Sequence, residues 1–439
     1  MKKKSILVEE IRKEIEQIPM IDTHEHIRKQ SDLRREGVNL FTSLKYSILF
    51  PDFISAGMLP EQWESNSIDP KDDWEKIRPF IDSVQTTAYF TTLMIAYKDL
   101  FGFEDREITN DNWRQLSQLI TEAYQKDDLY EFVLQKLNVK KVLIDVIEDP
   151  GSLELPGSSN TFIPTLAIDP LIFARSQKFF IANPKMSPRW FHPNPLANLL
   201  KKWNVSYETF DEYLALIDLA FEKLRNVGGV AIKFRFAYFR DMDVQPVSKA
   251  EAEKIFYLEE KDLTKEQVKK LEDYLIISII QKATENKIPI QVHSGLFGSC
   301  GSDPRNGHPF QLINLFIEYP KTKFILFHGS YPFTGEMATL VKGFPNVFLD
   351  ICWLYFLHNN LQKYLTEWLA LIPCNKIFLG GDSECIERSY AAITVIKNCI
   401  AEVLADYVEN DIYTKNMALN VARKILNENA QVLYKIYTI

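Results

Sequence analysis

Short apolar runs alternate with longer amphipathic segments along most of this chain. In the amphipathic segments the apolar residues recur every three or four positions, as in Ile11, Ile15 and Ile18, which predicts helices. The apolar runs have the length and composition of buried strands. Eight such strands are predicted, over residues 20–22, 141–146, 162–168, 230–236, 288–292, 323–327, 347–350 and 376–379.

Strands that alternate with helices form parallel βαβ units. Eight such units predict an α/β fold of the closed (β/α)8 TIM-barrel type. Residues 28–137 follow the first strand, show mostly helical patterns and contain no convincing strand. We therefore expect one barrel domain over residues 1–439, with a long helical insertion over 28–137.

Composition narrows the range of functions. Hydrophobic residues make up 46% and charged residues 25% of the chain, as in a soluble globular protein. The net charge is −8 and no basic stripe is visible, so we expect no nucleic acid partner. The chain has no run of ~18 apolar residues, so we expect no membrane span. The five cysteines form no C-x-x-C motif, and the basic start lacks the apolar core of a signal peptide, which favours a cytoplasmic protein.

Histidines fall where the predicted strands end. The chain has only seven, and four of them directly follow predicted strands: His24 and His26, His293, and His328. Asp382 follows the eighth strand in the same way. Because all strands of a parallel barrel open on one face, we expect these side chains to converge there.

The residue types in this set favour a catalytic metal ion. His24 and His26 are two residues apart on an extended segment, so their side chains leave on the same side. Imidazole and carboxylate ligands suit a first-row divalent metal, zinc most simply, with manganese as an alternative. We expect His24, His26, His293 and Asp382 to bind one ion, which would lower the pKa of a bound water to roughly 7.

Cationic and phenolic side chains lie near the same predicted face. Lys233, Arg235 and Tyr238 belong to or follow the fourth strand, and Arg305 lies in a polar loop after the fifth. An arginine fork fits a carboxylate, so these residues are candidates for binding a small, carboxylate-bearing substrate. Ordinary ion pairs are the alternative for each arginine.

Four segments carry a resemblance to the amidohydrolase superfamily: "MIDTHEHI", "IPIQVHSGL", "FILFHGSYPF" and "IFLGGDSE". The chain is most similar to the amidohydrolase-related domain that plants and fungi fuse to a glutamine-synthetase-like domain. This similarity is good over 285–439 and at the H-x-H segment. The helical insertion, with "YKDLFGFEDREITNDNWRQL", is also similar to uronate isomerases, which are nonhydrolytic members of the superfamily.

The resemblance implies roles for individual residues. His24, His26, His293 and Asp382 match ligands or near-ligands, and Asp382 in hydrolytic members also takes a proton from the attacking water. His328 matches a histidine that binds a second metal in some members and polarises the substrate or transfers protons in others. Lys233 matches a lysine that is carboxylated in binuclear members, so two ions are an alternative. Uronate isomerases lack the motif around His328.

These observations predict a metal-dependent hydrolase that attacks an amide, lactone or related bond of a small molecule. A metal-dependent decarboxylase, a uronate-type isomerase and an inactive binding barrel are the alternatives. The substrate cannot be identified from the sequence, which also leaves open whether the chain forms a homo-oligomer.

Overall fold

Eight parallel strands form the centre of this computed structural model, in which residues 2–63, 70–145, 155–175, 195–298 and 300–437 are described. Each strand pairs with the next one along the chain. The strands are β1 (Met20–Glu25), β2 (Val139–Asp145), β3 (Phe162–Ala167), β4 (Ala231–Phe234), β5 (Ile290–Val292), β6 (Phe324–Leu326), β7 (Val347–Asp350) and β8 (Ile377–Phe378).

Backbone hydrogen bonds also join the first strand to the last. Thr23 N donates to Leu379 O at 3.0 Å, and Asp382 N donates to His24 O at 2.8 Å. The sheet therefore closes on itself, and the predicted (β/α)8 barrel is confirmed. Each strand lies within a few residues of its predicted place; Val146, the last residue of the predicted second strand, lies outside the described residues.

Helices occupy the described residues between β1 and β2. They are α2 (Gln30–Glu36), α3 (Leu40–Tyr46), α4 (Phe50–Ser55), α5 (Pro60–Trp63), α6 (Pro70–Val84), α7 (Ala88–Phe101), α8 (Trp113–Gln125) and α9 (Leu129–Lys136). This helical segment packs on the barrel through α7 and α9, which contact the long helix α17 (Ile386–Glu409) after β8.

The remaining helices surround the strands. They are α1 (Lys2–Glu16), α10 (Pro195–Trp203), α11 (Phe210–Asn226), α12 (Lys249–Phe256), α13 (Lys265–Asn286), α14 (Ile313–Glu318), α15 (Thr334–Gly343), α16 (His358–Leu371), α18 (Lys415–Arg423) and α19 (Asn429–Tyr434). None of the helices in the described ranges is both long and apolar enough to span a membrane.

Local sequence explains where two of the crossover helices begin. Thr209 and Thr264 precede α11 and α13, and each side chain accepts a hydrogen bond from a backbone N–H of the first turn. The residue three positions later, Glu212 or Gln267, bonds back to the threonine N–H, which completes a capping box. These caps set the points at which the chain leaves a loop and starts to cross the outside of the barrel.

Candidate metal centre and substrate site

Three of the predicted metal ligands converge at the carboxyl end of the barrel. His24 and His26 belong to β1 and its extension, and Asp382 follows β8. The Nε2 atoms of both histidines lie 3.2 Å from Asp382 Oδ1. The three ligand atoms all lie within 4.8 Å of one another, which fits a set that surrounds a single ion.

Hydrogen bonding of His26 presents a lone pair toward this centre. Its Nδ1 lies 2.8 Å from the carbonyl oxygen of Asp145, which can only accept, so Nδ1 carries the proton. In the neutral ring Nε2 is then an acceptor that faces the Asp382 carboxylate, itself an acceptor. Two facing acceptors require a proton or a metal cation between them, so the arrangement fits a bound divalent ion.

The ionisation states of the other two groups agree with this interpretation. Burial and the nearby charge of Lys233 hold the pKa of His24 well below its usual value, so its imidazole is neutral. Burial raises the pKa of Asp382, but the contacts with His24 and His26 outweigh burial and lower this pKa well below its usual value, so Asp382 is a carboxylate. A neutral imidazole and a carboxylate are the forms that bind metal.

His293, the fourth predicted ligand, lies outside this set of three. Its Nε2 is 3.0 Å from Leu296 O and its Nδ1 is 2.9 Å from His328 Nε2, so both ring nitrogens are engaged. His328 continues the contacts through Nδ1, which lies 3.3 Å from Cys352 Sγ and 3.7 Å from Asp382 Oδ2. Burial lowers the pKa of His293 to about 3 and that of His328 well below its usual value.

Two buried carboxyl groups that the sequence analysis did not single out hold the ligand segments together. Asp22 Oδ1 accepts from His24 N and from Gly381 N, each at 3.1 Å. Glu25 accepts from Ser383 N at 2.5 Å and from Ser389 Oγ at 2.6 Å. Their places beside the H-x-H segment were visible in the sequence, but their partners Gly381, Ser383 and Ser389 lie more than 350 residues away.

Lys233 lies within the barrel and is fully buried. Its Nζ has no hydrogen-bond partner among the described residues and lies 3.5 Å from the centre of the Phe327 ring. Burial lowers the pKa of Lys233 to about 8, against the opposing influence of Cys352, Asp145 and Asp382. The strand-4 lysine therefore shares the surroundings of the Asp382 carboxylate.

The three other predicted substrate residues have different surroundings. Arg235 lies near Asp169, with its Nε 3.7 Å from Asp169 Oδ2. The Tyr238 ring lies with its centre 4.5 Å from that of His293, tilted by 51°, and its hydroxyl accepts from Gly298 N at 3.2 Å. Arg305 is 88% exposed and binds Asp303 at 2.5 Å, so the described contacts do not bring it to the histidines.

Left-handed backbone marks the ends of three strands at the site. His328 has φ 61°, Trp353 has φ 70° and Asp382 has φ 55°. Non-glycine residues rarely adopt such angles, least of all a bulky tryptophan, and each costs ~1–3 kcal/mol unless its surroundings hold it. Side chains held against such strain are a mark of functional sites.

Arg388 was also missed by the sequence analysis. It lies in the first turn of α17, 1% exposed, and donates from Nε to the Tyr355 hydroxyl at 2.9 Å. An arginine in a helix that mixes charged and apolar residues gives no sequence signal of its own, because its surroundings come from distant segments.

The amidohydrolase family model matches residues 264–436, which include His293, His328 and Asp382. Over these residues the chain is similar to the amidohydrolase family. Among the described residues, His24, His26 and Asp382 form a group that could hold a metal ion.

The chain is also similar to a curated protein and to solved structures. Protein fluG of Emericella nidulans is 28% identical over 222 residues, which are 47% of this chain and 26% of fluG. Glucuronate isomerase from Caulobacter crescentus superposes with a TM-score of 0.77 at 15% identity, covering 99% of this chain and 95% of that one. Uronate isomerase from Thermotoga maritima superposes with a TM-score of 0.76 at 14% identity, covering 98% of this chain and 97% of that one. At these identities the structures show a shared fold.

Proposed function

We propose that this protein belongs to the amidohydrolase superfamily and is a metal-dependent hydrolase that cleaves an amide, lactone or related bond of a small molecule. The observation that carries the proposal is the convergence of His24, His26 and Asp382, with His328 beside the second oxygen of Asp382. His24, His26 and Asp382 would hold one divalent ion, zinc or manganese, with His293 adjacent.

The residues around the metal position would have different roles in the reaction. A divalent ion bound there supplies Lewis acidity, which acidifies water and polarises a carbonyl group. Asp382 keeps Oδ1 toward the two histidines, which leaves Oδ2 to accept a proton from water and pass it to the leaving group. His328 would donate from Nε2 to His293 Nδ1 at 2.9 Å, because His293 Nε2 donates to Leu296 O, and would thereby orient His293 beside the metal position.

Metal analysis coupled to a substrate screen tests this proposal. Protein purified without chelators is assayed for zinc and manganese and then screened against small esters, lactones and amides in ¹⁸O-water. We expect about one ion per chain and ¹⁸O in the product of the active substrate. Absence of metal would contradict the site, and turnover without ¹⁸O incorporation would contradict hydrolysis.

Uronate-type isomerisation is the second candidate. It is favoured by the structural likeness to the Caulobacter glucuronate isomerase, which extends over 99% of the chain and so includes the helical segment after β1. The motif around His328, absent from uronate isomerases, weighs against it. Conversion of glucuronate to a product of unchanged mass, with no ¹⁸O incorporated, would decide for this candidate.

A further inference from the structure

Arg388 is a buried cation whose outer nitrogens are unused. Only its Nε is engaged, by the Tyr355 hydroxyl, while Nη1 and Nη2 have no hydrogen-bond partner within the described part of the chain. A guanidinium is always charged and carries four N–H donors on these two nitrogens. Burying such a charge is costly unless an anion meets it, so Arg388 is a poor choice for a purely structural position.

Aromatic rings form the walls around this guanidinium. Its Cζ lies 4.8 Å from the centre of the Phe356 ring and 5.7 Å from that of Tyr89. Phe356 and Tyr89 stack at 3.8 Å, and Trp353, whose backbone is left-handed, donates from its indole nitrogen to the Tyr89 hydroxyl. The rings pack against the guanidinium, and its buried Nη1 and Nη2 atoms remain available to a polar partner.

The guanidinium interacts electrostatically with the Asp382 carboxylate of the proposed metal centre. Arg388 follows Asp382 by six residues, at the start of α17. Burial is the largest influence on the pKa of Arg388, Tyr355 and Tyr89, and the Asp382 carboxylate raises the pKa of all three. The Asp382 side chain is 13% exposed.

We infer that Arg388 binds a carboxylate of the substrate, through the paired Nη1 and Nη2 atoms, while the bond to be cleaved lies at Asp382. This inference rests on the proposed function for the position of the reacting bond. It assigns the substrate to the class of small carboxylic acids, with Tyr89 and Phe356 lining the acid end.

The shape and charge of the site favour a carboxylate over a phosphate. Two parallel N–H groups match the two oxygens of a planar carboxylate. One positive charge in an apolar wall neutralises one negative charge, whereas a phosphate monoester carries nearly two at neutral pH. The excess charge would lie near Asp382, which is already negative.

Calorimetric titration of the full-length, metal-loaded protein tests the assignment. Acetate and benzoate are titrated against acetamide and benzamide, with methyl phosphate as a further probe. We expect one of the acids to bind and its amide not to bind. Arg388→Met should lower the affinity for the acid by roughly a factor of 10 or more, since it removes a charge-assisted pair. Arg388→Lys should retain part of the affinity.

Two further variants separate this role from metal binding and from folding. His24→Ala removes a proposed metal ligand and should leave most acid binding in place. Arg240 is the matched control because it is a buried arginine that pairs with Glu272 at 3.2 Å and Asp273 at 2.5 Å. Arg240→Met should lower Tm and leave acid binding unchanged, whereas Arg388→Met should leave Tm unchanged or higher.

Each outcome decides the inference. Loss of acid binding in Arg388→Met alone, at unchanged Tm, supports it. Acid binding that survives Arg388→Met, binding lost only in His24→Ala, preference for methyl phosphate, or no binding of either acid overturns it. A large fall in Tm for Arg388→Met would make the residue structural. None of these readouts depends on turnover, so failure of hydrolysis would leave the assignment of Arg388 intact.

Discussion

At the scale of single residues, His26 shows how a backbone contact prepares a side chain for chemistry. Its Nδ1 donates to the carbonyl of Asp145, at the end of β2, and this bond fixes both the ring orientation and the tautomer. The lone pair of Nε2 then faces Asp382 Oδ1 at 3.2 Å. The metal position is thus defined by a contact between β1 and β2 that no local pattern contains.

Substitutions at His24 and Asp382 should separate metal binding from proton transfer. His24→Ala removes a ligand, so we expect metal content and turnover to be lost together. Asp382→Asn keeps a ligand oxygen but removes the base, so much of the metal should remain while kcat falls by roughly 10²–10⁴-fold. Metal analysis and steady-state kinetics on the active substrate measure both effects.

Both variants should remain folded, because strand-end polar residues in a barrel serve the site more than the core. Circular dichroism and Tm are the controls. Near wild-type activity in Asp382→Asn would contradict the proton-transfer role, and full metal content in His24→Ala would contradict its role as a ligand.

At the scale of elements, buried hydrogen bonds join β1 to the segment after β8. Glu25 bonds to Ser383 N and Ser389 Oγ, and Asp22 bonds to Gly381 N. A Cβ atom on Gly381 would lie 2.0 Å from Glu25 Oε1. The glycine is therefore required for close approach of the two segments.

Gly381→Ala should destabilise the protein by about 1–3 kcal/mol and lower kcat, because Glu25 is fully buried and Asp382 is the next residue. Gly343→Ala is the matched control, since nothing lies within 4 Å of its added Cβ at the end of α15. Urea unfolding and the rate on the active substrate measure the two effects. Equal stabilities for the two variants would contradict the packing argument.

A buried lysine in helix α17 should make the free energy of unfolding depend on pH. Burial lowers the pKa of Lys397 to about 8, and its Nζ donates to the carbonyl oxygen of Leu137. Between pH 8 and the ordinary lysine pKa of about 10.4 the unfolded chain binds the proton and the folded chain releases it. Stability should therefore rise with pH through this range, by about 3 kcal/mol in all from this group.

Lys397→Met removes this contribution, so its free energy of unfolding should rise less than that of the wild type between pH 7.5 and 9.5. The substitution Lys261→Met, at a side chain that is 73% exposed, is the control and should leave the pH dependence unchanged. Urea unfolding across this pH range measures the difference. Parallel curves for wild type and Lys397→Met would show that burial does not act on this lysine as described.

At the scale of the whole molecule, the helical segment after β1 is built against the helix that follows β8. Ser43 of α3 and Tyr124 of α8 both donate to the buried Glu387 of α17, each at 2.6 Å. Tyr89 of α7 stacks on Phe356, which follows β7. The helical segment thus contributes to the wall of the site as well as to the core.

Removal of the metal should lower the stability of the whole protein. An ion that binds only the folded state adds stability according to its concentration relative to Kd, about 4 kcal/mol at 1,000 times Kd. We expect Tm to fall on treatment with a chelator and to recover with one equivalent of zinc. Scanning calorimetry with stepwise zinc addition measures this effect.

His24→Ala is the control for that experiment, since its Tm should respond little to chelator. Recovery that requires two equivalents, together with added CO₂ mass on Lys233, would replace the single ion with a binuclear centre. An unchanged Tm in the wild type would contradict a bound metal.

The alternation of apolar runs and amphipathic helices was enough to predict the barrel, because strand and helix periods are local properties of the chain. The rule that the strands of a parallel barrel end on one face then predicted that His24, His26 and Asp382 lie close together. Tertiary structure alone decided which nitrogens face the carboxylate, since His26 depends on Asp145 and His293 turns to Leu296 and His328. It also decided that Arg388 is buried, with Nη1 and Nη2 unbonded among the described residues, while Arg305 is exposed, because burial and pairing depend on distant segments.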